Sequence, residues 1–164
     1  MEKEYDRLKA YLYAKRWAFG RNPAYFNFDR LGGDCTNFIS QCLFAGSGVM
    51  NYTPIFGWFY KNADDRTASW TGVEYLFRFL TENTGPGPFA RPTDQSKLKI
   101  GDVIQLGRDN DDFYHSLLVC GFRRGYPLVA AHSMDAFLRP LYTYSYEKAR
   151  FLHIVGVRLP DQPR

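Results

Sequence analysis

The chain reads as an α+β protein, helical in its first half and an antiparallel sheet in its second. Three observations predict this. Apolar residues recur with a period near 3.6 before residue 81, proline and glycine then interrupt the chain, and short alternating apolar runs with turn signals follow. One domain over residues 1–164 is expected, with a helical half about 1–80, a linker about 81–97 and a sheet half about 98–160. A chain of this length can bury roughly two thirds of its unfolded surface without disulfide or metal staples.

Residues 4–20 are expected to form a helix with Tyr5, Leu8, Leu12 and Phe19 near one face, stopped by Gly20 and Asn22-Pro23. Residues 22–33 form an aromatic loop that leads into the stretch organising the rest, Gly32-Gly33-Asp34-Cys35-Thr36-Asn37-Phe38-Ile39-Ser40-Gln41-Cys42-Leu43. The glycine pair permits a tight bend, and Asp34 is a good N-cap whose carboxylate can accept the amides of Thr36 and Asn37. Phe38, Ile39, Cys42 and Leu43 then share one buried helix face that Cys35 begins. Residues 49–69 carry Tyr52, Phe56, Trp58, Phe59 and Tyr60, which either wall a cleft or pin an irregular loop to the core. A second helix follows, with Thr71 and Glu74 as a capping box, Trp70 and Tyr75 as a hydrophobic staple, and Val73, Leu76, Phe77 and Leu80 as its stripe.

Proline and glycine rule out a helix over residues 81–97. Strands are expected at Val103–Leu106 and over residues 114–122 and 127–132. The last two pair as a hairpin through Arg123-Arg124-Gly125-Tyr126, and further strands follow near 139–144 and 151–158.

The net charge of +4 is scattered, so nothing marks a nucleic-acid surface. Three cysteines and three histidines show no zinc spacing, and no cofactor motif is present. The charged N-terminus and the lack of about 18 consecutive apolar residues argue against a signal peptide and a membrane span, so the chain as given reads as cytoplasmic, export by another route or after leader removal being open. Oligomeric state is not legible.

The chemistry centres on Cys35. At the first position of a helix, free backbone N–H groups and the positive end of the macrodipole favour a thiolate and can hold an oxyanion. A catalytic thiol also needs a base. His115 opens one strand of the hairpin and His132 closes the other, which brings both to one end of the sheet as base and orienting residue. Asp102 and Asp135 are alternatives for the third position, and His153 reads as structural.

Gly33-Asp34-Cys35-Thr36-Asn37-Phe38-Ile39-Ser40-Gln41-Cys42-Leu43, with Asn22-Pro23 and Tyr25 before it and Trp70-Thr71, Gly101-Asp102-Val103-Ile104-Gln105, His115-Ser116 and Ala131-His132-Ser133-Met134-Asp135 after it, resembles the bacterial family described as a putative amidase domain. That family is similar to the NlpC-like and CHAP cysteine peptidases of the papain-like superfamily, in which a cysteine-bearing helix packs on an antiparallel sheet. The resemblance implies Cys35 as nucleophile, His115 as base and His132 as third member, acting through a thioester on a peptide or peptidoglycan-like amide. Tyr25, Asn22 and Asn27 are candidates for the second oxyanion donor, and Tyr25, Asp34, Trp58, Tyr114 and Asp135 for substrate or oxyanion contacts. Two other functions fit the same residues: acyl transfer from the same thiol, and peptide or glycan binding without chemistry. A redox pair is disfavoured because Cys42 lies two helical turns beyond Cys35.

Overall fold

The cysteine-bearing helix is central in the computed structural model, which describes residues 1–161. This helix, α2 (Cys35–Ser47), follows β1 (Glu2–Lys3) and α1 (Arg7–Trp17). Phe38, Ile39, Cys42 and Leu43 are fully buried, as the spacing predicts, and Thr36, Asn37, Ser40 and Gln41 are buried as well. The helix therefore has protein on nearly every side, and its polar residues need internal partners.

α1 runs antiparallel to α2. The Asp6 amide at its start bonds the Gly46 carbonyl at 2.9 Å, and the carbonyl of Trp17 at its end lies 2.8 Å from His132 Nε2, beside the start of α2. The close approach changes which face is inside. Ala10, Ala14 and Ala18 are fully buried, whereas Leu8, Leu12 and Phe19 are exposed, contrary to the expected stripe. A β-carbon on Gly46 would stand 2.8 Å from the Asp6 carbonyl oxygen and 2.5 Å from the Tyr5 ring, so only small residues fit this crossing.

β2 (Tyr60–Asn62) and β3 (Asp65–Arg66) form a small separate hairpin, followed by α3 (Ala68–Thr71) and α4 (Val73–Glu82). The expected capping box is not made. Gly72 is the N-cap of α4, the Thr71 hydroxyl instead accepts from Arg66 Nε at 3.2 Å, and Tyr75 is exposed rather than stapled to Trp70. The buried stripe of α4 is Leu76, Phe79 and Leu80. Part of the expected linker is a strand, β4 (Gly87–Thr93). It pairs with one side of the last strand only, which leaves its outer edge free of the ladder and tolerant of Pro88 and Pro92.

β5 (Val103–Gly107), β6 (Phe113–Arg123), β7 (Tyr126–Ala131), β8 (Ala136–Pro140) and β9 (Lys148–Arg158) complete an antiparallel sheet in the order β1-β9-β5-β6-β7-β8, with β4 on the other side of β9. β8 lies upstream of its expected position at 139–144, and β9 begins earlier than expected. One face, with Val103, Leu118, Cys120 and Ala130, packs on the helices; the other, with Ile104, Leu106, Leu117 and Val119, packs on Leu98 and Leu141. The fold is thus α+β, with N-terminal helices against a C-terminal antiparallel sheet. Among the described residues, no helix is long and apolar enough to cross a membrane.

Candidate functional site around Cys35

Gly32 and Gly33 both take positive φ, 87° and 98°, and make the bend that delivers Asp34 to the start of α2. Asp34 is buried but does not cap the helix through its side chain. Its Oδ1 accepts from the Phe28 amide and from Asn37 Nδ2, each at 2.9 Å, and its Oδ2 lies 2.5 Å from His132 Nδ1. Arg21 Nε is 3.6 Å away. With the carboxylate spent on the loop and the imidazole, the backbone N–H groups of Cys35, Thr36 and Asn37 have no acceptor among the described residues. The first turn of α2 therefore carries unspent backbone donors, on residues of which Thr36 and Asn37 are buried and Cys35 is half-buried.

Cys35 is half-buried, whereas Cys42 and Cys120 are buried. Burial pushes the Cys42 thiol well above its usual range and the Cys120 thiol up to about 11, which keeps both protonated at neutral pH. Among the described residues, the hydrogen-bonding contact of Cys35 Sγ is with Thr36 Oγ1 at 3.7 Å.

The two histidines do come to one end of the sheet, but on opposite faces. β6 residues alternate: Ser116, Leu118 and Cys120 face the helices, and His115, Leu117 and Val119 face away. His115 packs against the Tyr144 ring, with centroids 6.0 Å apart, and burial together with Arg139 lowers its pKa to about 4. By this parity His115 faces away from α2, which is not where a base for Cys35 was expected. The β6 residue turned toward α2 is Ser116, whose hydroxyl lies 3.0 Å from Thr36 Oγ1.

His132 is on the side of the sheet that faces α2. Continuing the Leu118–Ala130 pairing by two residues brings it level with Ser116, and its ring stacks on Phe38 with centroids 3.9 Å apart. Both ring nitrogens are engaged within the protein. Nδ1 meets Asp34, and Nε2 lies 2.8 Å from the Trp17 carbonyl and 3.2 Å from Arg21 Nη1. Arg21 also clamps Asp29 and Asp135, the latter through bonds of 2.9 and 3.0 Å from its two terminal nitrogens, so Asp135 reaches this site through the guanidinium. No imidazole among the described residues hydrogen-bonds Cys35 Sγ.

The other candidates sort by contact. Tyr25 lies between Tyr60 and Trp70, with centroids 5.0 and 6.0 Å away, near the start of α2. Trp58 is fully buried, its Nε1 donating to Ser40 Oγ at 3.1 Å, so it belongs to the core and not to a substrate wall. Tyr114 is exposed and bonds the Ser145 carbonyl at 3.3 Å. Asn22 donates to the Tyr13 hydroxyl and accepts from the Ala24 amide, and Asn27 accepts from the Asp29 amide, so these two shape the loop. Asp102 is fully buried at a separate place, where it accepts from Arg7, the Lys99 and Ile154 amides and His153. The alternation of β6 was legible before the structure, because Leu117 and Val119 set the face that His115 must share. Among the described residues, no group of three or more metal-ligating side chains stands together.

No solved structure matches the chain. The uncharacterized protein YhbB of Bacillus subtilis (strain 168) is 36% identical over 163 residues, an alignment that covers 93% of this chain and 51% of that protein, so the chain spans about half the length of this relative. The family model described as "Putative amidase domain" matches residues 4–155, from just before α1 to within β9 and through every element that builds the Cys35 site. The chain therefore belongs to this amidase-domain family.

Proposed function

We propose that the protein is a cysteine amidohydrolase acting on a peptide or peptidoglycan-like amide. Cys35 Sγ attacks the carbonyl carbon, and the free N–H groups at the start of α2 take the oxyanion. As the C–N bond breaks, the leaving amine gains a proton and a thioester remains; water then attacks the thioester, releases the acid and regenerates the thiol. His132 is assigned the proton transfer, with Asp34 holding its Nδ1. It is the imidazole that bonds a residue adjacent to the nucleophile, and its Nε2 must leave the Trp17 carbonyl to reach the thiol. The observation that carries the reading is the contrast between Cys35, half-buried on a helix turn with free amides, and two buried thiols held protonated.

The test is hydrolysis of a panel of peptide amides and peptidoglycan fragments by the wild-type chain and by Cys35→Ala, with limiting iodoacetamide as a second arm. Loss of hydrolysis in Cys35→Ala, and inactivation that tracks alkylation of Cys35 ahead of Cys42 and Cys120, are expected. Equal hydrolysis by Cys35→Ala would end the reading. One observation favours a second reading, a peptide- or glycan-binding module without chemistry: both nitrogens of His132 are occupied and no imidazole bonds the thiol. That reading requires undiminished ligand binding by Cys35→Ser and no turnover by the wild-type chain. Acyl transfer from the same thiol would appear as turnover that rises with added amine.

A further inference from the structure

A row of polar side chains crosses the sheet beneath the first turn of α2. Register sets it: Arg150 of β9 and Ser116 of β6 flank Gln105 of β5 as direct cross-strand partners, on the face that packs against the helices. Gln105 and Ser116 are fully buried. Each belongs to a motif that the hydrolysis mechanism leaves unused.

The first links of this row have a direction fixed by their chemistry. An arginine only donates, so the 2.8 Å bond from Arg150 Nε fixes Gln105 Oε1 as its acceptor. The Gln105 amide nitrogen spends its two protons on the Val73 carbonyl at 3.0 Å and on Ser116 Oγ at 3.1 Å. Ser116 accepts there and has one proton to offer its other neighbour, Thr36 Oγ1, at 3.0 Å. A Thr36 hydroxyl that accepts from Ser116 has its own proton left for Cys35 Sγ, 3.7 Å away, a contact in which either atom can donate. The far end is anchored by the Glu74 carboxylate at 2.9 Å and by the Phe77 and Phe113 rings, whose centroids lie 3.7 and 3.9 Å from the guanidinium carbon. Each bond in such a chain polarises the next, which strengthens the last donor.

We propose that Arg150, Gln105, Ser116 and Thr36 form a one-way hydrogen-bond chain that ends on the Cys35 sulfur and holds it as a reactive thiolate. This rests on the reading of Cys35 as the nucleophile. The side chains of Thr36, Ser116, Gln105 and Arg150 are positioning groups that act through the sulfur and do not touch substrate.

The experiment measures the rate of Cys35 alkylation by iodoacetamide from pH 5 to 9, by peptide mapping of the full chain and its variants. A hydrogen bond to a charged group is lost in Thr36→Val, so alkylation at pH 7 should fall about tenfold while the plateau at high pH is unchanged. Ser116→Ala breaks the chain one link further back and should slow alkylation about threefold, since only the polarisation is lost. Thr36→Ser and Ser116→Thr restore the hydroxyls and should restore the wild-type profile, a rescue that a packing role would not give. If Thr36→Val fails to fold, the Ser116→Ala and Ser116→Thr pair decides. An unmoved pH profile in Thr36→Val, or in Ser116→Ala where it stands in, overturns the chain, and so does failure of the hydroxyl variants to rescue. Alkylation needs no substrate: slowed alkylation in Thr36→Val alongside full hydrolysis by Cys35→Ala would keep the chain and remove the hydrolase, whereas the opposite pair of results would remove the chain alone.

Discussion

Replacing Asp34 tests the contact on which the site geometry hangs, and two replacements should behave differently. Asp34→Ala removes the acceptor of three donors in a buried setting: the Phe28 amide, Asn37 Nδ2 and the facing nitrogen of His132. Asn37 Nδ2 keeps its bond to the Phe26 carbonyl, so the amide and the imidazole bear most of the loss. Buried donors left without partners cost about 1–3 kcal/mol each, so a destabilisation of about 4 kcal/mol is expected. Asp34→Asn keeps an oxygen for Phe28 and Asn37. Its new amide can donate to an imidazole that has moved its proton to Nε2, where the Trp17 carbonyl accepts it, so the cost should be only about 1.5 kcal/mol. At about 0.35 kcal/mol per degree for a chain of this length, the two should lower Tm by about 12 and 4 °C. Urea titration with an unchanged m value, alongside calorimetry, measures both. An Asp34→Ala protein within 1 kcal/mol of wild type, or equal losses in the two variants, would refute the account of Asp34 as the hub.

Four further outcomes are expected. His115→Ala should retain amide hydrolysis and His132→Ala should lose it, in parallel assays on one substrate, because only His132 lies on the face turned to α2; the reverse order would return the base to His115. Wild-type stability should fall by about 2 kcal/mol as the pH drops from about 6.5 to about 4, after a discount for partial exposure of the ring. The cause is His115, with a folded pKa lowered to about 4: in that window the unfolded chain binds its proton and the folded chain does not, and urea titrations of His115→Gln should show that part of the slope gone. Gly46→Ala should destabilise by about 2 kcal/mol in the same titrations, because the new methyl meets the backbone oxygen of Asp6, which no rotamer can move aside. Under limiting iodoacetamide, mass mapping should find Cys35 modified while Cys42 and Cys120 stay protected until the chain unfolds.

Much of the fold was legible where one periodicity acted alone. The Phe38, Ile39, Cys42 and Leu43 stripe is fully buried because α2 lies between α1 and the sheet, and the β6–β7 hairpin turns at Arg124-Gly125 between flanking apolar runs. The misreadings share a cause in packing distance or competing partners. Hydropathy selected Leu8 and Leu12 as the inner face of α1, but a helix crossing this close at Gly46 can bury only Ala10, Ala14 and Ala18. Thr71 has the composition of a cap, yet Arg66 claims its hydroxyl and the N-cap of α4 falls one residue later, at Gly72. Asp34 likewise has the composition of a cap and is drawn off by His132. A side chain with two possible partners is settled by the tertiary structure, which a local pattern does not contain.

The site itself turns on a single step of strand parity. His115 and His132 sit at the same end of one hairpin, but residues across a strand pair share a face only when they are in register, and a shift of one residue reverses every side chain. Leu118 pairs with Ala130, so His132 is level with Ser116, and His115 points into the opposite cluster beside Tyr144. A hydroxyl stands where an imidazole was expected. That substitution of roles gives the surroundings of the thiol two sides with separate duties: Asp34 and His132 on one, where Nε2 must give up the Trp17 carbonyl for a proton to move while Asp34 keeps Nδ1, and Ser116 with Gln105 and Arg150 on the other, set by cross-strand register and linked to the sulfur through Thr36. The Ser116 side can act on the thiol before substrate arrives, and the His132 side can act only after Nε2 leaves the Trp17 carbonyl, so alkylation and hydrolysis should respond to different residues.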